Sequence, residues 1–146
     1  LDEIYVALKA ITDSKTGILD RSKILLQFSM DTVQWKLKEG KIINEVPFRP
    51  TYSAIQSRLS SDAISAFSLK LQSPYLIFED DMDGTRNVVW YENVTSIQAK
   101  INLAKSFQIG GLSVWRLGTI PDESLTTASD VSLDIWHQIK SNYYFE

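Results

Sequence analysis

The sequence predicts an α/β domain built around parallel strands. Two short apolar runs of strand length, at residues 23–30 and 112–115, each lie next to segments with helical periodicity. Strands that are apolar throughout and alternate with helices are typical of a parallel sheet with both faces covered. Two such strands cannot fill a complete α/β domain, so the sequence also predicts that part of the sheet is supplied from elsewhere.

The N-terminal third of the chain predicts a helix, a strand and then a less regular segment. The opening helix has apolar residues at i, i+4 and i+7, namely Ile4, Leu8 and Ile11, with acidic residues in its first turn. Residues 23–30, KILLQFSM, have the length and composition of a buried strand. Residues 31–50 contain a Glu39–Gly40 turn and predict a loop or hairpin.

The middle of the chain combines a short helix with β-rich sequence. Residues 51–61, TYSAIQSRLSS, predict a helix that ends near Ser60. Residues 64–92 are β-rich, and within them YLIFED and TRNVVWYE flank the turn sequence DMDG. Gly84 can adopt the positive φ that such a hairpin turn requires.

The C-terminal third predicts helix, strand, helix. Thr95 and Gln98 have the spacing of a capping box for the first of these helices. Its apolar face is formed by Ile97, Ile101, Ala104 and Phe107. The glycines at 110–111 end that helix, and LSVW follows as a buried strand. Residues 129–141, SDVSLDIWHQIKS, predict a last amphipathic helix with Trp136 in the core and His137 on the surface.

Composition excludes several classes of function. The net charge is −3 over 146 residues, whereas a nucleic-acid-binding domain needs a basic face. With no cysteine and one histidine, the chain cannot build a disulfide, a cysteine-ligated metal site or a histidine cluster. No apolar run approaches the roughly 18 residues of a membrane span. We expect no metal and no cofactor, because the acidic run at residues 79–84 resembles an EF-hand loop only at its start.

Three longer stretches resemble glycoside hydrolase family 18. They are KILLQFSMDTVQW, SPYLIFEDDMDGTRNVVWYENVTSIQAKINLAKSF and IGGLSVWRLGTIPD. They are similar to the seventh strand, the small α+β insertion with the helix after it, and the eighth strand of that family. The resemblance as a whole spans nearly the whole chain, from about Lys23 to Trp136. The resemblance implies that residues 1–146 are the C-terminal portion of a (β/α)8 TIM barrel, with its last two strands and an insertion at about 36–92.

The resemblance also implies a set of sugar-binding residues. In such barrels, functional residues gather at the carboxyl ends of the strands. There, the family tryptophan that matches Trp115 forms the floor under the sugar, and Arg116 is expected to point to the opposite side. The further candidates are Asp31 and Trp35, which follow the first strand, and Trp90, since Trp90 and Tyr91 alternate along a strand and at most one of them can face the substrate.

The sequence lacks the catalytic acid that family 18 requires. In that family an acid protonates the glycosidic oxygen while the acetamide group of the substrate attacks the anomeric carbon. This acid closes a D-x-x-D-x-D-x-E motif, and neither that motif nor the M-x-Y-D pattern of the sixth strand is present. The isolated chain is therefore expected to be inactive.

Two hypotheses of function follow. The first is the C-terminal part of a glycosidase that acts on β-linked N-acetylglucosamine polymers, chitin or peptidoglycan, outside the cell or on a bacterial cell wall or spore. Its partners would be the glycan and the missing N-terminal part of the same barrel, and the isolated piece would oligomerise through its exposed edges. The alternative is a non-catalytic carbohydrate-binding or interaction module.

Overall fold

The computed structural model describes residues 1–61, 63–120 and 133–142. Within these residues the α-helices are α1 (Asp2–Ile11), α2 (Tyr52–Leu59), α3 (Val94–Ser106) and α4 (Ile135–Ser141). The strands are β1 (Leu25–Ser29), β2 (Val33–Lys38), β3 (Lys41–Ile42), β4 (Ile64–Ser68), β5 (Ser73–Asp80), β6 (Thr85–Trp90) and β7 (Gly111–Trp115). The predicted α/β class is confirmed. The described residues form no closed barrel.

β1 and β7 form a two-stranded parallel sheet, which we call the parallel ribbon. The register runs from Leu25 opposite Gly111 to Ser29 opposite Trp115. One face of the ribbon packs on the helices, through side chains that include Phe28. The other face is uncovered, and Leu25 on it is 61% exposed. The expectation of a fully buried strand is therefore wrong for β1 in the described residues, because helices cover only one of its faces.

The segment between the two ribbon strands folds into a five-stranded antiparallel sheet of order β3-β2-β6-β5-β4. The predicted β5–β6 hairpin is confirmed, and Gly84 in its turn has φ +63°. Helix α2 covers one face of this sheet, where Ile55 packs against Leu76 and Val89 in the main core. The helix predicted at residues 51–61 is confirmed.

Helix α3 has its N-cap two residues earlier than the sequence suggested. Asn93 is the N-cap, and its side chain and that of Ser96 exchange hydrogen bonds with each other's backbone N–H groups at 3.0 and 2.9 Å. The predicted box of Thr95 and Gln98 is wrong, because Thr95 already lies inside the first turn, and Gln98 donates to Asn102 instead. The predicted buried face is confirmed at positions 97, 101 and 104.

Helix α4 closes the described part of the chain. His137 is exposed, as predicted. Trp136 was predicted in the core but is half-buried, with the Lys140 ammonium 5.9 Å from its ring centroid. The first residues of the helix predicted at 129–141 lie outside the described residues. Across those described, no helix has the length and apolar character needed to cross a membrane.

Candidate functional site

The candidate site lies at the carboxyl ends of the two ribbon strands. Trp115 is the last residue of β7, and its carbonyl oxygen accepts a hydrogen bond of 2.7 Å from the Met30 N–H. Trp115 is 54% exposed. By strand alternation it shares the uncovered face with Gln27, Ser29 and Ser113. An indole beside hydroxyl and amide groups suits a ligand with apolar faces and polar edges, as a sugar ring has.

Arg116 lies beyond the end of β7. The expectation that it points away from Trp115 rested on strand alternation, which does not apply there because β7 ends at Trp115. The backbone of Arg116 is fixed by Thr119, whose N–H donates to the Arg116 carbonyl at 3.0 Å. The Thr119 hydroxyl also contacts the Arg116 N–H, at 3.2 Å. Arg116 is exposed and directly follows Trp115 at the end of β7.

Asp31 follows β1 at the same end of the ribbon. Its N–H donates to the Ser29 hydroxyl at 3.0 Å, and its carboxylate is 3.6 Å from Nη1 of Arg49. The same Arg49 nitrogen donates to the Thr32 carbonyl at 3.4 Å. The Thr32 hydroxyl in turn donates to the Pro50 carbonyl at 2.5 Å. These contacts hold the segment before α2 against the end of β1. Asp31 and Arg49 therefore lie side by side at this end of the ribbon.

Trp35 and Trp90 lie on the face of the antiparallel sheet that α2 does not cover. Trp90 stands opposite Val33 on one side and Tyr75 on the other, and the rings of Tyr75 and Trp90 have centroids 4.7 Å apart. Trp35 lies two residues along from Val33, opposite Val88, on the same face. We call the surface formed by Trp35, Tyr75 and Trp90 the aromatic face; all three residues are half-buried.

The aromatic face begins close to Trp115. Met30 is bonded to Trp115 and precedes Val33, which pairs with Trp90, by three residues. Three residues of extended chain span at most about 11 Å between Cα atoms. Tyr91, by contrast, is buried in the main core. Asp31 and Trp115 thus lie at the carboxyl end of the ribbon, Trp90 lies beside Val33 where the antiparallel sheet begins, and Trp35 lies farther along that sheet.

Sequence reasoning missed Tyr75 as a member of this surface. The hairpin register contains the signal, because Asp80 pairs with Thr85 across the turn. Counting five residues outward on both strands brings Tyr75 opposite Trp90. Cross-strand neighbours in an antiparallel pair share a face, so the turn position alone could have indicated this aromatic pair.

A largely buried polar network lies where α2, the end of β6 and the start of α3 meet. The Tyr52 hydroxyl accepts a hydrogen bond of 3.1 Å from the Glu92 N–H, and burial raises the pKa of Tyr52 above its usual range. The Glu92 carboxylate pairs with the Lys100 ammonium and accepts from the Ser96 hydroxyl at 2.5 Å. This network joins α2 to the start of α3 and fixes the end of β6.

In the acidic turn after β5, the carboxylate of Asp83 has hydrogen-bond and charge partners within the protein. The Asp83 carboxylate accepts a hydrogen bond of 2.5 Å from the Thr85 hydroxyl and pairs with the Lys36 ammonium at 2.9 Å. These contacts lower the pKa of Asp83 to about 2. Within residues 1–61, 63–120 and 133–142, no group of three or more His, Cys, Asp and Glu side chains could hold a metal ion.

A separate pocket of about 220 Å³ lies between α2 and the covered face of the antiparallel sheet. It is lined by Gln34, Pro50, Ala54, Ile55, Arg58, Leu76, Phe78, Asp80 and Val89. None of the predicted site residues lines it. This pocket is therefore separate from the candidate site.

Comparison with known proteins gives partial matches. No protein-family model matches the chain. The cortical fragment-lytic enzyme of Bacillus anthracis is 30% identical over 102 residues, which cover 66% of this chain and 22% of that enzyme. The spore cortex-lytic enzyme SleL of Bacillus megaterium superposes with a TM-score of 0.66 at 25% identity, covering 85% of this chain and 26% of SleL. The resemblance to glycoside hydrolase family 18 is confirmed.

The fold agrees with the same family. A GH18 chitinase from Cycas revoluta in complex with (GlcNAc)4 superposes with a TM-score of 0.58 at 22% identity, covering 80% of this chain and 34% of that one. The chain spans only about a quarter or less of the length of several curated relatives that it matches, between 20 and 27%. The family 18 resemblance thus concerns a segment of those proteins.

Proposed function

We propose that the chain is the C-terminal part of a family 18-like glycosidase barrel that acts on β-linked N-acetylglucosamine polymers, chitin or peptidoglycan. It contributes the floor and one wall of the sugar site but not the catalytic acid. The observation that carries the proposal is Trp115, a half-exposed indole on the uncovered face of the ribbon, at the strand end where barrel enzymes bind ligands.

The side chains around Trp115 suit a pyranose ring. The flat indole would contact the apolar face of one sugar, while Ser29, next to it on β1, offers a hydroxyl at the ring edge. Trp90 and Trp35 would contact neighbouring sugars, since both lie on the aromatic face that starts at the same strand end. Asp31, with its carboxylate near Arg49, would accept hydrogen bonds from sugar hydroxyls.

The parallel ribbon supports an incomplete barrel. Its uncovered face and two open edges leave apolar groups such as Leu25 exposed, and further parallel strands would cover them. We infer that the preceding part of the same polypeptide supplies these strands and the catalytic acid. The similar proteins named as cortex-lytic enzymes and chitobiases favour a glycan of the cell wall or spore, and a location there or outside the cell.

The proposal is tested by removing the indole. In the intact protein, Trp115→Ala should weaken chito-oligosaccharide binding by about 1–3 kcal/mol, roughly 5- to 150-fold, because a stacked ring is lost. Trp136→Ala, on the far helix α4, is the matched loss of a tryptophan and should leave affinity unchanged. Turnover and binding at the wild-type level in Trp115→Ala would refute the proposed floor.

The absent acid motif also favours a second candidate, a non-catalytic carbohydrate-binding module. The two are separated by the mass of the native polypeptide, detected with an antibody against this chain. A species well above 16.6 kDa supports the glycosidase, whereas a species at 16.6 kDa supports the module. The chain produced alone gives a second criterion, because a barrel segment should oligomerise and a module should melt cooperatively as a monomer.

A further inference from the structure

Two guanidinium groups accompany Trp115 at the carboxyl end of the parallel ribbon. Arg116 follows Trp115 directly, and Arg49 is fixed beside Asp31 and the Thr32 carbonyl, just past the end of β1. The Arg49 side chain is 58% exposed. Because Met30 is hydrogen-bonded to Trp115, these two chain segments meet at one place. Both arginines therefore belong to chain segments that meet at the strand end where Trp115 lies.

The charge at this place differs from that of the whole chain. The chain carries a net charge of −3, whereas Arg49, Arg116 and Asp31 together carry +1. Glu92 adds no free carboxylate, since it is paired with Lys100 and largely buried. Asp31 contacts one nitrogen of Arg49, and a guanidinium has five N–H donors. Arg49 thus retains donors for a ligand.

We propose that the site selects a carboxylate-bearing β-linked N-acetylhexosamine polymer, of the peptidoglycan type, over neutral chitin. This inference rests on the proposed function and names its substrate class. A sugar that stacks on Trp115 presents its ring substituents at the edge, where Arg49 and Arg116 lie. Guanidinium groups bind carboxylates through paired, charge-assisted hydrogen bonds. Neutral chitin carries only hydroxyl and acetamide substituents, which leave the net charge of +1 on Arg49, Arg116 and Asp31 unbalanced.

The experiment compares two soluble probes on the intact protein. One probe is the neutral tetramer of N-acetylglucosamine. The other is a tetrasaccharide of alternating N-acetylglucosamine and N-acetylmuramic acid with free lactyl carboxylates. Affinities are measured by calorimetry at low and high salt. We expect the acidic probe to bind more tightly, and salt to weaken only its binding, because exposed charges are screened.

Substitution of the arginines identifies the groups responsible. Arg49→Gln and Arg116→Gln should each weaken the acidic probe by about three- to tenfold, between an exposed ion pair and a charge-assisted hydrogen bond. Binding of the neutral probe should weaken by a smaller factor, because it has no carboxylate to lose its partner. Arg86→Gln is the matched control, because Arg86 is similarly exposed at 61% but pairs with Glu79 near the hairpin turn, at the opposite end of β6.

The outcomes separate this inference from the proposed function. Equal affinity for the two probes, with no effect of either arginine substitution, would overturn the inference alone. Loss of both probes to the same extent in the arginine variants would also overturn it, because it would indicate a general disturbance of the site. If wild-type protein bound neither probe, the proposed function would fail and the inference with it. Methyl esterification of the acidic probe should abolish its advantage.

Discussion

Gly110 is the glycine at which one added methyl group should most destabilise the parallel ribbon. Its N–H donates to the carbonyl oxygens of Arg21 and Ile24, both at 2.9 Å. A Cβ atom at Gly110 would lie 2.0 Å from the Ser22 carbonyl oxygen. Because that oxygen belongs to the backbone, no side-chain rotation relieves the clash. In Gly110→Ala the turn between α3 and β7 must therefore move away from residues 21–24.

The cost follows from the contacts that this separation breaks. Each of the two hydrogen bonds contributes about 0.5–1.5 kcal/mol, and forcing a methyl group into a packed site costs about 1–3 kcal/mol. Alanine offsets about 0.4–1 kcal/mol by restricting the unfolded chain. The net loss is then about 3 kcal/mol, which lowers the Tm by about 6–12 °C in a domain of 150–250 residues.

The neighbouring glycine provides the control. A Cβ atom at Gly111 would meet only Leu25 Cδ2, at 3.4 Å, so Gly111→Ala should cost less than about 1 kcal/mol. Urea unfolding followed by circular dichroism, with calorimetry for the Tm, would compare the two variants of the intact protein. Equal stability of Gly110→Ala and Gly111→Ala would refute the close backbone approach as the reason for glycine here.

Three smaller effects can be measured in the same way. Asn93→Ala should cost about 1 kcal/mol of stability and Thr95→Ala less than about 0.5, because only Asn93 caps α3; equal costs in urea unfolding would contradict this. Since the pKa of Asp83 falls from 3.8 to about 2 on folding, its contribution is complete above pH 3.8 and lost as the pH falls through 2. The urea midpoints of wild type and Asp83→Asn should therefore differ at pH 6 and converge below pH 2, and a difference independent of pH would count against the pairing. Tyr52→Phe should cost about 1 kcal/mol by removing the acceptor for the Glu92 N–H. Because burial raises the Tyr52 pKa, the difference in 295 nm absorbance between wild type and Tyr52→Phe should develop only above the pH at which an ordinary phenol ionises, and a difference that develops at the ordinary pH would exclude this.

The elements could be predicted where the signal is local. The β5–β6 hairpin follows from DMDG between two β-rich runs, and the stripe of α3 follows from its helical period. The cap of α3 could not be chosen in this way, because Asn93 and Thr95 are both good N-caps two residues apart. The tertiary structure decides between them, because the buried Tyr91 fixes where the chain leaves β6.

The site was harder to predict than the elements because its parts are distant in sequence. Trp115 could be proposed because one contiguous stretch, IGGLSVWRLGTIPD, resembles the eighth strand of family 18. The Glu92–Lys100 pair and the contact of Arg49 with Asp31 depend on how α2 and α3 pack, and no spacing in the sequence specifies that packing. The covered and uncovered faces of β1 likewise depend on which helices are present, since an apolar strand fits burial on either or both faces.

The parallel ribbon and the antiparallel sheet are held in a fixed relation by two short, buried connections. Between β1 and β2, Met30 and Thr32 are buried, and between β6 and α3, Tyr91 is buried. Met30 and Tyr91 belong to one core that also contains residues of α2 and α3. Because close-packed interiors resist small displacements, the ribbon and the antiparallel sheet cannot move apart without opening that core. The backbone positions of Trp115 and of the aromatic face are therefore fixed relative to each other, and at the proposed site little backbone ordering would be left to oppose binding.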